Sequence, residues 1–370
     1  MMKKIFLTVL SVMMMLSLVA CGEKEEANVA PTEEVVEEQE EAPVEEEKAI
    51  EKKSERTVEQ LEAYIAEESV KETRDSEKLL EALNEAADKD SAYAMYYLVC
   101  EYHNGYDVAK NEKKAAEYVD MLQASCEKGN AATYEYLADC YLYGWGVESD
   151  ATKALEYAEQ GANRGRVGCY IRVSDIYGEG FEGVEVDAEK AIEYAQKAIE
   201  SEGYFGYALL GNYHSGRMKG FEDYADSKLK FENYYAYVTN EKPEIIDATY
   251  YAGIANCYIN GDGVDADVEE GIKWCEKAVD AGYTVAWTQP AVYYLNAGDY
   301  ENAIVYYDKY MDSEKDLTKY ASQNVCVYAG ITAYYAGDID KAKEYWKKSV
   351  KINEPLASEA QNNLDSLEEQ

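Results

Sequence analysis

The side chains of this 370-residue chain that could do chemistry are few in kind. There are two histidines, His103 and His214, each beside an expected turn between helices, and no histidine pair stands at metal-ligand spacing. No Cys-x-x-Cys motif and no glycine-rich phosphate loop occurs. Carboxylates are abundant enough to form an acid/base pair by chance, but no local signature marks one. The acidic run Asp262, Asp265, Asp267, Glu269 and Glu270 has the ligand type for Ca²⁺. It lacks the order of ligands and glycine of an EF-hand loop, and helix capping by Asp267 accounts for it better. No catalytic site, metal or cofactor is expected. The anomaly is tyrosine, with 37 residues against five phenylalanines. Tyrosine offers large contact area at low entropic cost and keeps a polar handle, which suits recognition.

Charge narrows the partners. The formal net charge is −38; the fourteen Glu and four Lys of residues 23–55 supply −10 of it, and residues 56–370 carry −30. Acidity therefore belongs to the folded part. It excludes nucleic acid, which needs basic surface, and argues against anionic lipid as a ligand of the folded part. It fits mutual repulsion between copies, or a basic partner.

The elements that position these residues come from a recurring phrase. Tyr141 to Val147 reads Tyr-Leu-Tyr-Gly-Trp-Gly-Val and leads to Asp150 and Lys153-Ala154. Tyr258 to Val264 leads likewise to Asp267, Tyr102 to Val108 leads to Asn111 and Lys114, and Tyr177 to Gly180 leads to Asp187 and Lys190. A glycine closes one helix, because it tolerates the left-handed turn there. The Asp or Asn caps the next. That second helix runs through Tyr118, Tyr157, Tyr194 or Trp274 and stops near Gly129, Gly165, Gly203 or Gly282. The unit is helix–loop–helix, roughly every 36–40 residues, and such a pair must stack on its neighbours to bury its apolar face.

These residues resemble the Sel1-like repeat, with its Leu-Gly-x-x-Tyr-x-x-Gly-x-Gly-Val, Asp-x-x-Lys-Ala and later aromatic, Ala and Gly. Residues 91–282 read as about five such repeats, the fourth, about 204–246, degenerate with a longer loop. Residues 283–355 resemble two tetratricopeptide (TPR) units, through Trp287, Tyr294, Gly298-Asp299-Tyr300, Ala303 and Tyr307, then Gly330, Gly337-Asp338, Ala342, Trp346 and Pro355. Pro290 should kink the first helix of the first. Residues 57–90 return to helical spacing through Leu61, Ile65, Leu79 and Leu83 and read as a cap; 356–370 form a C-terminal helix or tail. The fold expected is an all-α, right-handed α-solenoid. Both families are interaction scaffolds, so the resemblance implies a binding protein and no enzyme.

At about 100° per residue, with the repeat Tyr141 at zero, Tyr134, Leu137 and Ala138 share its face and should be core, as should Tyr170, Tyr177, Tyr251 and Tyr258 in the same slots. Residues nine, six and two before that tyrosine, and one and two after it, point away at about 100–200°. In the tetratricopeptide arrays that this register resembles, those slots line the concave groove. They hold Tyr93, Tyr96, His103 and Asn104, then Glu135, Asp139 and Tyr143, then Asp175 and Glu179, then Tyr204, Tyr207 and His214. Later units contribute Asn256, Asn260, Asn296, Tyr334 and Tyr335. The groove so read is acidic, amide-rich and aromatic, and suits a protein or peptide bearing Lys or Arg, with a glycan strand as the alternative. An accessory role, or a weak activity, in cell-wall or glycan processing is the second reading.

Seven cysteines follow Cys21, at 100, 126, 140, 169, 257, 275 and 326. A cysteine-rich branch of Sel1-like proteins staples helices through pairs eight apart. Here Cys126 has Tyr134 at that spacing and Cys169 has Gly161, so that pattern is missing, and Cys140 and Cys257 read as small apolar packers.

The N-terminus reads as an address. Lys3 and Lys4 precede the apolar run 5–18, which is short for a membrane span, and Leu18-Val19-Ala20-Cys21-Gly22 looks like a bacterial lipobox. Residues 1–21 are then a lipoprotein signal whose Cys21 becomes the lipidated N-terminus. Residues 22–56, Glu-rich and without aromatics, form a disordered tether. The expected location is a bacterial membrane, lipid-anchored on its extracytoplasmic face.

Overall fold

The computed structural model describes residues 56–69, 71, 74–239, 247–313, 320–350 and 355–368. Among these are seventeen α-helices and no strand; Phe181 and Val184 form one isolated antiparallel bridge. Helices α1 (Val58–Ser69) and α2 (Ser76–Asp88) cover the open side of α3. Pairs follow: α3 (Ala92–Asn104) with α4 (Glu112–Glu127), α5 (Thr133–Tyr143) with α6 (Ala151–Ala162), α7 (Val167–Glu179) with α8 (Ala188–Glu200), and α9 (Phe205–Tyr213) with α10 (Ser227–Thr239). Then come α11 (Ala248–Asn260) with α12 (Val268–Asp280), α13 (Thr288–Asn296) with α14 (Tyr300–Ser313), and α15 (Tyr320–Tyr335) with α16 (Ile339–Val350). Helix α17 (Pro355–Glu368) closes the array against α15 and α16. First helices also touch first helices, as α3 does α5 and α5 does α7, while no comparable contact joins second helices among the described residues. First helices therefore form the inner wall of the solenoid.

One local device is repeated. Gly144 ends α5 in the left-handed region (φ +73°) and its N–H donates to the Cys140 carbonyl. The Asp150 N–H then reaches back 2.7 Å to the Tyr141 carbonyl, and the Asp150 side chain accepts from the Lys153 N–H to cap α6. Asn111, Asp187 and Asp267 repeat both bonds on Tyr102, Tyr177 and Tyr258. The lysine of the motif completes the unit: Lys153 Nζ donates to Tyr141 Oη at 2.7 Å and lies 4.0 Å from its ring centre. Lys114 and Lys190 clasp Tyr102 and Tyr177 in the same way. The unit of Tyr258 has Glu270 in that slot and lacks the clasp.

The expected core slots are filled. Tyr134, Leu137, Ala138, Tyr141 and Tyr177 are buried, while Tyr170, Tyr251 and Tyr258 are half-buried. Leu61, Ile65, Leu79 and Leu83 of the cap are buried against α3 and α4 residues. In the fourth unit the longer loop tucks Phe221 under Tyr213, ring centres 4.4 Å apart, and Asp226 restores the cap on α10. Pro290 does not kink a continuous helix. The chain breaks into a 3₁₀ turn (Thr284–Trp287) followed by α13, and the proline sits in the first turn of α13, where no intrahelical N–H is needed.

The seven described cysteines are free. Burial pushes the Cys169 and Cys275 thiols up to about 12, so they act as packing groups. Cys169 fits because residue 161 is glycine: a Cβ there would collide with Cys169 Sγ and lie 2.8 Å from Tyr134 Cβ. Gly161→Ala is expected to cost about 1–3 kcal/mol through overpacking at the α6–α7 seam. An unchanged urea midpoint would refute this account of the glycine.

Candidate functional site

The inner wall carries its densest set of polar and aromatic side chains across α3, α5 and α7. Helical spacing puts Glu135, Asp139 and Tyr143 one turn apart on α5. Opposite them α7 presents Arg172, Asp175 and Glu179, and α3 presents Tyr96. Tyr96 Oη donates to Asp139 Oδ2 at 3.1 Å. Arg172 Nε stands 2.5 Å from Asp139 Oδ1, and Arg172 Nη1 donates to Asp175 Oδ2 at 3.0 Å. Arg166 pairs with Glu135 at 3.3 Å. Around this network Tyr96 stacks on Tyr136 at 4.7 Å and leans on Trp145 at 5.9 Å, and Tyr143 lies 5.1 Å from Trp145.

This overturns the expectation of a freely acidic groove in this half of the array. Asp139 is buried, and Glu135, Asp139 and Asp175 are held by the chain's own arginines. The sequence angle placed them away from the core of their own unit, but the next repeat covers them. Burial raises the carboxyls of Glu135, Asp139 and Asp175, the last to about 6, with the arginines offsetting only part. Burial works against the Arg172 cation, but Asp139 and Asp175 outweigh it and hold its pKa above the ordinary value. What reaches solvent is Tyr143, 47% exposed, and the carboxylate of Glu179.

The raised Asp175 has a measurable consequence. Between about pH 4 and pH 6 the unfolded chain has released this proton and the folded chain retains it, so the contribution is stabilising at low pH and is lost as pH rises through about 6. Asp175→Asn, which mimics the protonated carboxyl, should therefore gain on the wild type as pH rises from about 5 to about 7.5. Paired thermal melts at the two pH values check this; a variant that loses ground as pH rises would contradict it.

The remaining residues of the expected groove divide. Tyr93 is half-buried and edge-on to Tyr97 at 6.1 Å. His103 does not join the cluster: its Nδ1 is 3.0 Å from Glu112 Oε2 at the α3–α4 turn. His214 is likewise at a turn, with Nδ1 3.0 Å from the Tyr224 carbonyl. Tyr204 and Tyr207 are half-buried, and Tyr207 packs on the C-terminal core. Tyr334 and Tyr335 are exposed at the end of α15, where Tyr335 stacks on Tyr300 at 5.8 Å. Asn256, Asn260 and Asn296 come together in a separate cavity of about 460 Å³ between α11, α13 and α15.

Sequence reasoning missed Arg166, Arg172, Tyr136 and Trp145. Arg172 and Tyr136 both stand five residues before their repeat tyrosine, at about 220° on the helical wheel, one slot beyond the window used. A wider window would have found both.

A row of helix pairs stacked in this way, each touching only its neighbours, is an α-solenoid. The chain carries Sel1 repeats: the sequence model of the Sel1 repeat matches residues 92–130, 131–165, 168–202, 246–283 and 320–351. The long-looped fourth unit falls between matches, and 320–351, which sequence reading likened to a tetratricopeptide, matches the Sel1 repeat. Among solved structures the chain is similar to a protective antigen of uropathogenic Escherichia coli strains displaying an SLR fold, at 20% identity and a TM-score of 0.56. That match covers 84% of this chain and 64% of the antigen, so the chain spans less than two thirds of its length. It is also similar to a Sel1 repeat protein from Oxalobacter formigenes, at 19% identity and a TM-score of 0.51, over 70% of this chain and all of that one. No curated protein matches the chain. These likenesses are likenesses of fold.

Proposed function

We propose that this protein is a scaffold that holds a protein or peptide partner along its inner wall, tethered by lipid at Cys21 to the outer face of a bacterial membrane. The observation that carries the binding role is the Tyr96–Asp139–Arg172–Asp175 network, which fixes a wall from which Tyr143 projects half-exposed. A rigid aromatic on a preorganised ionic base is a suitable anchor for a partner. Because two arginines pair with three of the carboxylates and offset most of their charge, a basic partner is not required at this end.

The anchoring reading rests on the lipobox at 18–22 and the Glu-rich segment 22–56; apart from Arg56 these lie outside the described residues. Among the described residues no helix is long and apolar enough to cross a membrane. Cys21→Ser should abolish lipid labelling and release the protein from membranes; unchanged detergent partitioning would refute the anchor.

The binding role is tested by a photo-cross-linking residue at position 143 of the full chain in cells. A discrete adduct from 143, and none from the exposed loop position 148, is expected. Indistinguishable adducts, or none from 143, would sink the reading.

A further inference from the structure

The amide cavity between α11, α13 and α15 differs in kind from the wall around Tyr143. We propose that it binds an uncharged, extended peptide segment through that segment's main chain. This rests on the scaffold reading and names the partner's chemistry at this point of the wall. Residues 56–370 carry a net charge of −30, yet among the described residues no Asp, Glu, Lys or Arg lines this cavity. Its described polar residues are neutral: Asn256 and Asn260 on α11, Thr288, Gln289, Tyr293 and Asn296 on α13, and Tyr328 on α15. A charged ligand would lose its water there and find no counter-ion, a heavy penalty. A neutral ligand would not.

The amides are ordered for use. Asn260 Nδ2 donates to the Asn256 carbonyl at 3.1 Å and to Asn256 Oδ1 at 2.7 Å. Gln289 Nε2 donates to the Ala252 carbonyl at 3.0 Å. These bonds fix the side chains and leave Asn256 Nδ2 as a donor and Asn260 Oδ1 as an acceptor. Asn296 is exposed and has no hydrogen-bond partner among the described residues. Donor and acceptor together match a peptide group, which presents one of each.

The rest of the lining joins Val285, Val292, Ala297 and Val325 to the rings of Tyr293 and Tyr328, a surface that the apolar side chains of a peptide can cover; a sugar can stack on the same rings, so an oligosaccharide competitor belongs in the test. The cavity spans three helices. At about 8–10 Å between neighbours this is about 20 Å, the length of about six extended residues.

The test uses the full-length protein and capped hexapeptides made from Ala, Val, Ser, Thr, Asn and Gln, with Lys-bearing and Glu-bearing versions and a chito-oligosaccharide as competitors. Neutral peptides should be retained, a central Lys or Glu should weaken binding about 10-fold or more, and binding should hold from about 0.1 to 0.5 M salt. The pair Asn256→Asp and Asn296→Asp should turn the preference towards Lys peptides with an unchanged melting temperature. Equal binding of charged and neutral peptides to the wild type overturns the proposal. So does selection unaffected by the Asp pair, retention of the oligosaccharide alone, or retention of nothing. The cross-link from position 143 separates the two readings: if it persists while the peptide test fails, this inference falls and the scaffold reading stands.

Discussion

Arg172→Ala is expected to destabilise the protein by about 3–5 kcal/mol, because it leaves buried carboxylates without their counter-charge. Asp139 is buried, and Arg172 Nε lies 2.5 Å from one of its oxygens. Asp175 shares the same guanidinium. The cause can be separated from lost packing. Arg172→Met combined with Asp139→Asn and Asp175→Asn removes all three charges and should recover most of the loss, since neutral replacement of a buried ionic set is often harmless. Arg172→Lys should rescue poorly, because an ammonium cannot serve two carboxylates in the planar fork geometry of Arg. The penalty of Arg172→Ala should also shrink towards about pH 5, where Asp175 holds its proton. Urea denaturation at two pH values reads all of this. A loss that the neutral triple variant does not recover would mean that Arg172 matters for its bulk.

Tyr141→Ala should cost about 3–5 kcal/mol, as truncation of a buried aromatic does, and Tyr143→Ala less than about 1 kcal/mol. The residues are two apart in sequence and differ in every contact. Tyr141 is 7% exposed, stacks on Tyr157 at 5.6 Å, and its Oη accepts from Lys153 at 2.7 Å and Gln123 at 2.6 Å. Tyr143 is 47% exposed and touches chiefly Trp145. Tyr141→Phe keeps the stack and loses both hydrogen bonds, so it should fall between, at about 1–2 kcal/mol. Equal melting of the two alanine variants would refute the assignment of faces.

The parts of the fold that were legible in sequence are those made within one unit. Gly144, Asp150 and Tyr141 act on one another across ten residues, and turn and cap chemistry at that range is written in residue type. The inner-wall slot was legible for Tyr96, Asp139 and Tyr143 for the same reason. What was not legible depends on how one unit is set against the next. Asp139 looks like a free carboxylate until α7 brings Arg172 to it from 33 positions away. The acids in the slots misled in the same way: they read as an acidic wall, and Glu135, Asp139 and Asp175 are paired while the amides of α11 and α13 gather apart from them.

The Tyr–Lys clasp lies inside three units, at Tyr102, Tyr141 and Tyr177, whereas units are tied to one another along the inner wall, as by Arg172 on Asp139, and where a second helix meets the next first helix, as by Gln123 on Tyr141. Under tension the array should therefore behave like stiff beads joined at their inner sides. Stretching would open the outer side first, where second helices barely meet, and the clasped helix pairs would hold until their own fold gave way. Such a row lengthens in small reversible steps, and a partner bridging several first helices would act as a strap that stiffens it.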